Sequence, residues 1–326
     1  MSIRIIKKGS LDSMQDLGRF GYQHLGIPPG GALDTWSLQI ANSLVGNKLE
    51  EAGLEIFFPA PTLLFEADAV IAISGADWQP YLQGIPVEIN RTILVKKGCV
   101  LTFQHPKAGR VMYIAVRGGF QLNAWLGSYS TQWGVPSSGF KGRALDKQDL
   151  LPFRDSVEFT TLAPESFLSL PWKPALKNSS STTPIRLIRD THFNLLDEVS
   201  KEQLTCTSFT ILPASNRMGF IVKGPSLTGT YRELISAAVR RGTIQWLPDE
   251  QIIILMADHP TTGGYPRIAQ VITADLSRLA QWPATLPLHF EWINRSNAEQ
   301  MYREQIFLLA QLQNAAGNRL ASYLGR

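Results

Sequence analysis

Cysteine is almost absent: Cys99 and Cys206 are the only two in 326 residues. They stand far apart and outside any metal-ligand spacing, which excludes a disulfide framework and a cysteine zinc site. Both read as buried, reduced thiols of a cytoplasmic protein. The five histidines (His24, His105, His192, His259 and His289) never pair at zinc spacing, so no metal is expected. Long apolar runs are missing. Ile252–Ala257 reaches six residues, too few to cross a bilayer, and Met1–Lys8 holds too short an apolar stretch for a signal peptide. There is no G-x-x-x-x-G-K-[ST] loop, so a P-loop of this chain does not hold ATP. A nucleophile elbow is also lacking, because Gly127-Ser128-Tyr129-Ser130-Thr131 has no closing glycine. Nor does one sign of charge dominate. The 31 basic and 27 acidic residues leave a net charge of +4, and Lys7-Lys8, Lys96-Lys97 and Arg240-Arg241 are dispersed pairs without aromatic interleaving. That pattern argues against nucleic-acid binding.

What is present is a chain that is 44% hydrophobic and 18% charged, in the range of globular proteins. Its length suits two domains of about 150 residues. Thr62–Phe65, Ala69–Ser74, Val100–Phe103, Met112–Val116 and Ile252–Met256 are short, β-branched or aromatic, and bounded by Gly, Pro or Asp. They predict closely spaced strands and a mainly β barrel or sandwich with few helices. One helix is predicted over 34–46, with Asp34 as its cap, Leu38, Ala41, Leu44 and Val45 on one face, and Gly46 as its stop. A second is predicted from Ala298 to about Ala315, with Ile306, Leu309 and Ala310 on one face. Pro164–Pro184, with the run Asn178-Ser-Ser-Ser-Thr-Thr183, reads as a linker or surface loop between domains at 1–163 and 185–326.

The halves look duplicated. Arg19-Phe20-Gly21-Tyr22 recurs as Arg217-Met218-Gly219-Phe220, Asp68–Asp77 recurs as Asp249–Asp258, and Gly84-Ile85-Pro86 as Gly264-Tyr265-Pro266. The offset shrinks after the first block, which makes the 34–46 helix an insertion in the first half. Arg19 and Arg217 would then hold equivalent places. A guanidinium there can grip a carboxylate or phosphate, or tie its own turn to an acid, Asp16 being available to Arg19. Asp34 is equally open between binding and capping. Thr261-Thr262-Gly263-Gly264, following Asp258 and preceding Tyr265, can present hydroxyls and successive backbone N–H groups to an oxyanion; the alternative is a tight hairpin. Ser128, Ser130 and Thr131 with Arg143 form a second polar cluster, or else an ordered loop whose hydroxyls cap backbone groups.

The segment Gln15–Asn47, then Ser74–Asp77, Arg117-Gly118-Gly119, Gly127–Thr131, Gly142-Arg143-Ala144-Leu145, Asn216–Gly219 and Thr261–Pro266 stand in the order of one known family. Over residues 3–292 the chain resembles the KipA-like family, also described as allophanate hydrolase subunit two or biotin-dependent carboxyltransferase-like. The resemblance implies two tandem cyclophilin-like β-barrel domains related by duplication. It implies the role of the C subunit of an ATP-dependent 5-oxoprolinase, which cleaves 5-oxo-L-proline to L-glutamate and is inactive as a single chain. The partners implied are a KipI-like protein, sharing the site and ATP with Mg at the interface, and a LamB/YcsF-like protein. On this view Asp258 and Thr261–Gly264 are catalytic, while Arg19, Asp34, Ser128, Ser130, Thr131, Arg143, Arg217 and Tyr265 bind substrate or anion. Two alternatives remain open: carboxyl transfer from carboxybiotin, as in urea amidolyase, with a biotin carrier supplied in trans, or a non-enzymatic antagonist of a KipI-like kinase inhibitor.

Overall fold

From residue 69 the chain reads Ala-Val-Ile-Ala-Ile, apolar on both sides of a strand, and all five residues are buried. Such a strand needs cover on both faces. In the computed structural model, which describes residues 1–159, 162–176, 183–230, 234–249 and 251–324, it receives both. The chain divides into two compact units: Met1–Gly18 with Asp34–Lys177 and Ile306–Arg326, and Arg19–Leu33 with Asn178–Gln305. This grouping differs from a simple cut at 164–184. Of the polar run expected at the centre of that linker, only Thr183 lies within the described residues.

The first unit holds β1 (Ser2–Lys7), β2 (Ser13–Gln15), α1 (Thr35–Val45), β3 (Gly53–Phe57), β4 (Thr62–Phe65), β5 (Ala69–Asp77), β6 (Pro80–Leu82), β7 (Ile85–Pro86), β8 (Thr92–Val95), β9 (Val100–Phe103), β10 (Ala108–Val116), β11 (Leu150–Pro152) and β12 (Phe167–Ser169). Two six-stranded sheets result, ordered β11-β1-β4-β9-β6-β7 and β12-β8-β5-β10-β3-β2. Ile3, Ile5, Leu54, Ile56, Ile71, Ile73, Met112 and Ile114 face one shared apolar core. The opposite face of β5 and β10 is covered by α1. That helix buries Leu38, Ala41, Leu44 and Val45, and stops at Gly46, whose φ of 73° is the left-handed conformation a helix end requires.

The second unit holds β13 (Ile185–Arg189), α2 (Glu198–Cys206), β14 (Thr210–Ile211), β15 (Gly219–Lys223), β16 (Ala237–Ala238), β17 (Thr243–Trp246), β18 (Ile252–Leu255), β19 (Thr262–Gly263), β20 (Arg267–Val271), α3 (Thr273–Ala280) and β21 (Phe290–Trp292). A seven-stranded sheet runs β14-β15-β18-β17-β20-β13-β21, and β16 pairs with β19 as a separate two-stranded ribbon. The long α4 (Arg295–Leu324) follows. The fold is therefore mainly β, with curled sheets in two barrel-like units and four α-helices among the described residues.

Three local expectations are corrected. The last helix runs well past Ala315 and buries Ala298, Leu309, Leu312, Ala316 and Leu320; Ile306 and Ala310 are exposed. Cys206, at the end of α2, is exposed, and only Cys99 is buried. The first repeat block does not hold in local structure. Gly219 opens β15, whereas Gly21 has φ 93° and precedes a short 3₁₀ turn at Gln23–Leu25.

Candidate functional site

In the first unit, β2 delivers Asp16 to the bottom of a polar nest. Its carboxylate accepts hydrogen bonds from Gly18 N (2.8 Å), Ser128 Oγ (2.7 Å), Tyr129 N (2.6 Å) and Ser130 Oγ. Ser130 Oγ also accepts Asp16 N–H at 2.9 Å. Ser128 and Ser130 are fully buried, and Thr131 is tied to β2 through its N–H to Met14 O. These hydroxyls hold the loop to Asp16. Arg143 does not join them. It makes a two-pronged ion pair with Asp149 at 2.6 and 2.8 Å, so the expected Ser–Thr–Arg cluster is resolved into two structural contacts. A surface cleft of about 390 Å³ lies beside Phe140, Lys141 and Asp149, and none of the expected site residues lines it.

Asp34 caps α1. Its carboxylate accepts Ser37 N–H at 3.0 Å and Ser37 Oγ–H at 2.5 Å, a contribution of about 1 kcal/mol for such a cap. Its backbone N–H donates to Tyr113 Oη at 2.8 Å, and Tyr113 in turn donates to Glu55 at 2.5 Å. Burial, helped by the carboxylates of Glu55 and Asp34, pushes the Tyr113 pKa well above its ordinary value, so the phenol stays a donor. Ser13, Glu55, Tyr113 and Ser74 are successive cross-strand partners, a buried polar row on β2, β3, β10 and β5.

The second unit gathers the arginines. Segment 19–33 is built from positive-φ glycines, including Gly30 at 64° and Gly31 at 91°. Arg19 is 1% exposed and donates its backbone N–H to Pro29 O at 2.8 Å. A Cβ on Gly30, itself at a positive φ, would lie 2.9 Å from Arg19 Nη1, so glycine at this position leaves the guanidinium its place. Arg217 grips Asp258 through Nε (2.7 Å) and Nη2 (2.8 Å), and Nη2 also reaches Gly31 O at 2.7 Å. Asp258 N–H returns a bond to Arg217 O at 2.9 Å. Arg241, which the sequence offered only as half of a basic pair, donates Nη1 to Ala32 O at 3.0 Å and Nη2 to Leu33 O.

Arg19 and Arg217 are thus neighbours in one unit, not equivalents in two. Next to them, His259 is 3% exposed with Nδ1 2.6 Å from Pro260 O. Burial is the main cause of its lowered pKa, and Arg241 adds to it, which keeps the ring neutral. The two-pronged grip that a guanidinium offers a carboxylate is used here by Arg217 on Asp258.

Thr261–Tyr265 takes the form of a strand end. β19 pairs with β16 (Ala237 with Gly263, Ala238 with Thr262), and Val239 N–H donates to Thr261 O at 3.1 Å. Thr262 and Tyr265 are exposed; Thr261, Gly263 and Gly264 are half-buried. Asp258 turns to Arg217, away from this ribbon's own hydrogen bonds. The sequence reading also missed Gln245, on β17, whose amide sits directly behind Gly263. Among the described residues no group of three or more His, Cys, Asp or Glu side chains could hold a metal ion, and no helix is long and apolar enough to cross a membrane.

Residues 25–292 match the family model of the carboxyltransferase domain, subdomains A and B. The chain belongs to that family. It is 35% identical over 315 residues to the 5-oxoprolinase C subunit of Escherichia coli (strain K12), covering 93% of this chain and 97% of that one. With the 5-oxoprolinase C subunit of Haemophilus influenzae it shares 31% over 311 residues, covering 95% and 97%. Among solved structures, the Kluyveromyces lactis urea carboxylase superposes with a TM-score of 0.86 at 27% identity, over 97% of this chain and 29% of that one. The carboxyltransferase fold is therefore one that also serves as a part of much longer chains.

Proposed function

We propose that this chain is the C subunit of an ATP-dependent 5-oxoprolinase, acting with KipI-like and LamB/YcsF-like partners to cleave 5-oxo-L-proline to L-glutamate. The observation that carries this reading is coverage. The likeness to the Escherichia coli protein spans nearly the whole of both chains, whereas the urea carboxylase is matched on 29% of its length. Opening the lactam needs its amide carbonyl made more electrophilic, which ATP would supply by passing its γ-phosphoryl group to the lactam oxygen with ADP leaving, water then adding to the carbon and phosphate departing as the C–N bond opens. Arg19, Arg217 and Arg241 concentrate positive charge at this turn, which favours a phosphate or substrate carboxylate nearby, while Asp258 and the carbonyls of Gly31, Ala32 and Leu33 hold Arg217 and Arg241 in place. On this reading ATP and Mg are held at the interface with the KipI-like partner, Mg bridging the nucleotide phosphates.

Carboxyl transfer is the second reading, favoured by the family model and by the urea carboxylase superposition. Co-expression with the KipI-like and LamB/YcsF-like partners, followed by an assay of 5-oxoproline-dependent ADP release, separates the two. The first reading expects turnover from the assembled complex alone and none from the single chain. An assembled complex that releases no ADP with 5-oxoproline, but transfers carboxyl from a carboxybiotin carrier, overturns it.

A further inference from the structure

Gln245 and Arg267 are neighbours across β17 and β20 because of an irregularity in the ladder. Thr243 pairs with Gln270 and Ile244 with Ala269, but Gln245 pairs with Arg267, so β20 carries one extra residue, Ile268. A bulge of this kind re-aims the side chains around it. Here Ile268 goes fully into the core, and Arg267 takes its place opposite Gln245.

Both side chains then run to the same cover. The Gln245 amide lies against β19: its Nε2 is 2.5 Å from where a Cβ on Gly263 would stand. Arg267 reaches β16, donating Nη1 to Ala238 O at 2.9 Å. Gly263 and Ala238 lie on facing strands of the two-residue ribbon, one register step apart. Beneath that ribbon two donors have no acceptor. Gln245 is 4% exposed with Nε2 buried and unpaired, and Arg267 Nε is buried and unpaired as well. Buried N–H groups without acceptors are rare in folded proteins because nothing offsets their desolvation. Here two of them lie together under one small ribbon outside the main sheet. The ribbon pairs only with itself and draws its stability from the unit it lies on, so a ligand entering here would displace this ribbon and no strand of the main sheet.

We propose that Gln245 and Arg267 form an oxyanion subsite beneath the β16–β19 ribbon, taking a carboxylate or phosphate group of a small molecule. One charged and one neutral N–H donor match two oxygens of such a group. The bare backbone of Gly263 leaves the amide its place, and the ribbon shuts the site from water. On the reading of the preceding subsection, the carboxylate of 5-oxoproline is the natural occupant, while free phosphate is the other source of the same chemistry.

The test follows the Gln245 side-chain amide resonance in the full-length, isotope-labelled chain, titrated separately with 5-oxoproline, inorganic phosphate and 2-pyrrolidinone, which is the lactam without its carboxylate. The expected result is a saturable shift with 5-oxoproline, with phosphate or with both, and none with 2-pyrrolidinone. A shift confined to one of the two oxyanions identifies the source. Arg267→Lys, read at the same amide, and Gln245→Met, read at the backbone amide of Gly263, should each weaken that binding at least about tenfold, the scale for a hydrogen bond to a charged group. Gly263→Ala, at a backbone angle that tolerates alanine, should weaken it by displacing the amide. Because Gln245 Nε2 has no internal partner, Gln245→Met should not lower the melting temperature. An amide that no oxyanion moves, or that 2-pyrrolidinone moves equally, overturns the subsite. Binding does not depend on turnover, so a shifted amide in a chain whose complex lacks 5-oxoprolinase activity keeps the subsite and removes only the proposed reaction.

Discussion

Asp12 gives the most direct test of how burial sets the chemistry of this fold. It lies between β1 and β2 and is 1% exposed, with Gly9 N–H donating to Oδ2 at 2.9 Å. Burial raises its pKa from 3.8 to about 7, against the opposing pull of the Gly9 and Phe57 backbone groups. The folded chain therefore holds this proton more tightly than the unfolded chain. The stabilisation is complete below pH 4 and is lost as pH rises, at about 1.4 kcal/mol per unit until the folded pKa is passed. At pH 8 the wild type carries a penalty of about 4 kcal/mol from this one group. Asp12→Asn keeps the shape and the acceptor for Gly9 but does not titrate. Urea unfolding of both proteins at pH 5 and pH 8 should show the variant gaining on the wild type by about 3 kcal/mol across that interval. Parallel pH profiles would refute the argument and mean that water reaches the carboxylate in the native state.

Three further outcomes are expected. Asp258→Asn leaves the buried Arg217 guanidinium without its counter-charge and should destabilise the chain by about 3–5 kcal/mol in thermal or urea unfolding, whereas an exposed ion pair would cost under about 1 kcal/mol. Ser128→Ala with Ser130→Ala removes two donors from Asp16 and should lower stability by about 2 kcal/mol or more while activity per folded molecule in the assembled complex is kept; the reverse pattern would return these serines to the site. Thr261→Val with Thr262→Val keeps the strand but removes both hydroxyls. If they stabilise charge in the transition state, activity of the complex should fall about 10²-fold with melting temperature unchanged, and full activity in a stable complex would remove them from the chemistry.

The sequence was enough wherever the cause was local. Asp34 and Gly46 mark the ends of α1 because capping and a left-handed stop are decided within one helical turn. Thr62–Phe65 and Val100–Phe103 emerge as strands at their expected bounds, because β-branched and aromatic runs between turn residues have few other options. The ordered motifs sufficed for the family, which the matched residues 25–292 establish. The far helix was only half legible. Its periodicity showed a helix but not which face is covered, and Ile306 is exposed although its spacing put it with Leu309.

Contacts between distant residues were decided by the tertiary structure alone. Two similar tetrapeptides suggested that Arg19 and Arg217 were equivalent, yet both belong to the second unit, where Arg217 bonds Asp258 and the Gly31 carbonyl of the turn that Arg19 packs against. Ser128 and Ser130 read as a polar cluster or as caps of their own loop, and their carboxylate partner, Asp16, lies more than a hundred residues earlier. Arg241 and Gln245 carried no motif at all. One became notable through the carbonyls it meets, and the other through the partner it lacks beneath Gly263. Helix caps and strand runs are written in residues adjacent along the chain, whereas a site depends on which distant backbone leaves room for which side chain, and that is fixed only when the sheets close.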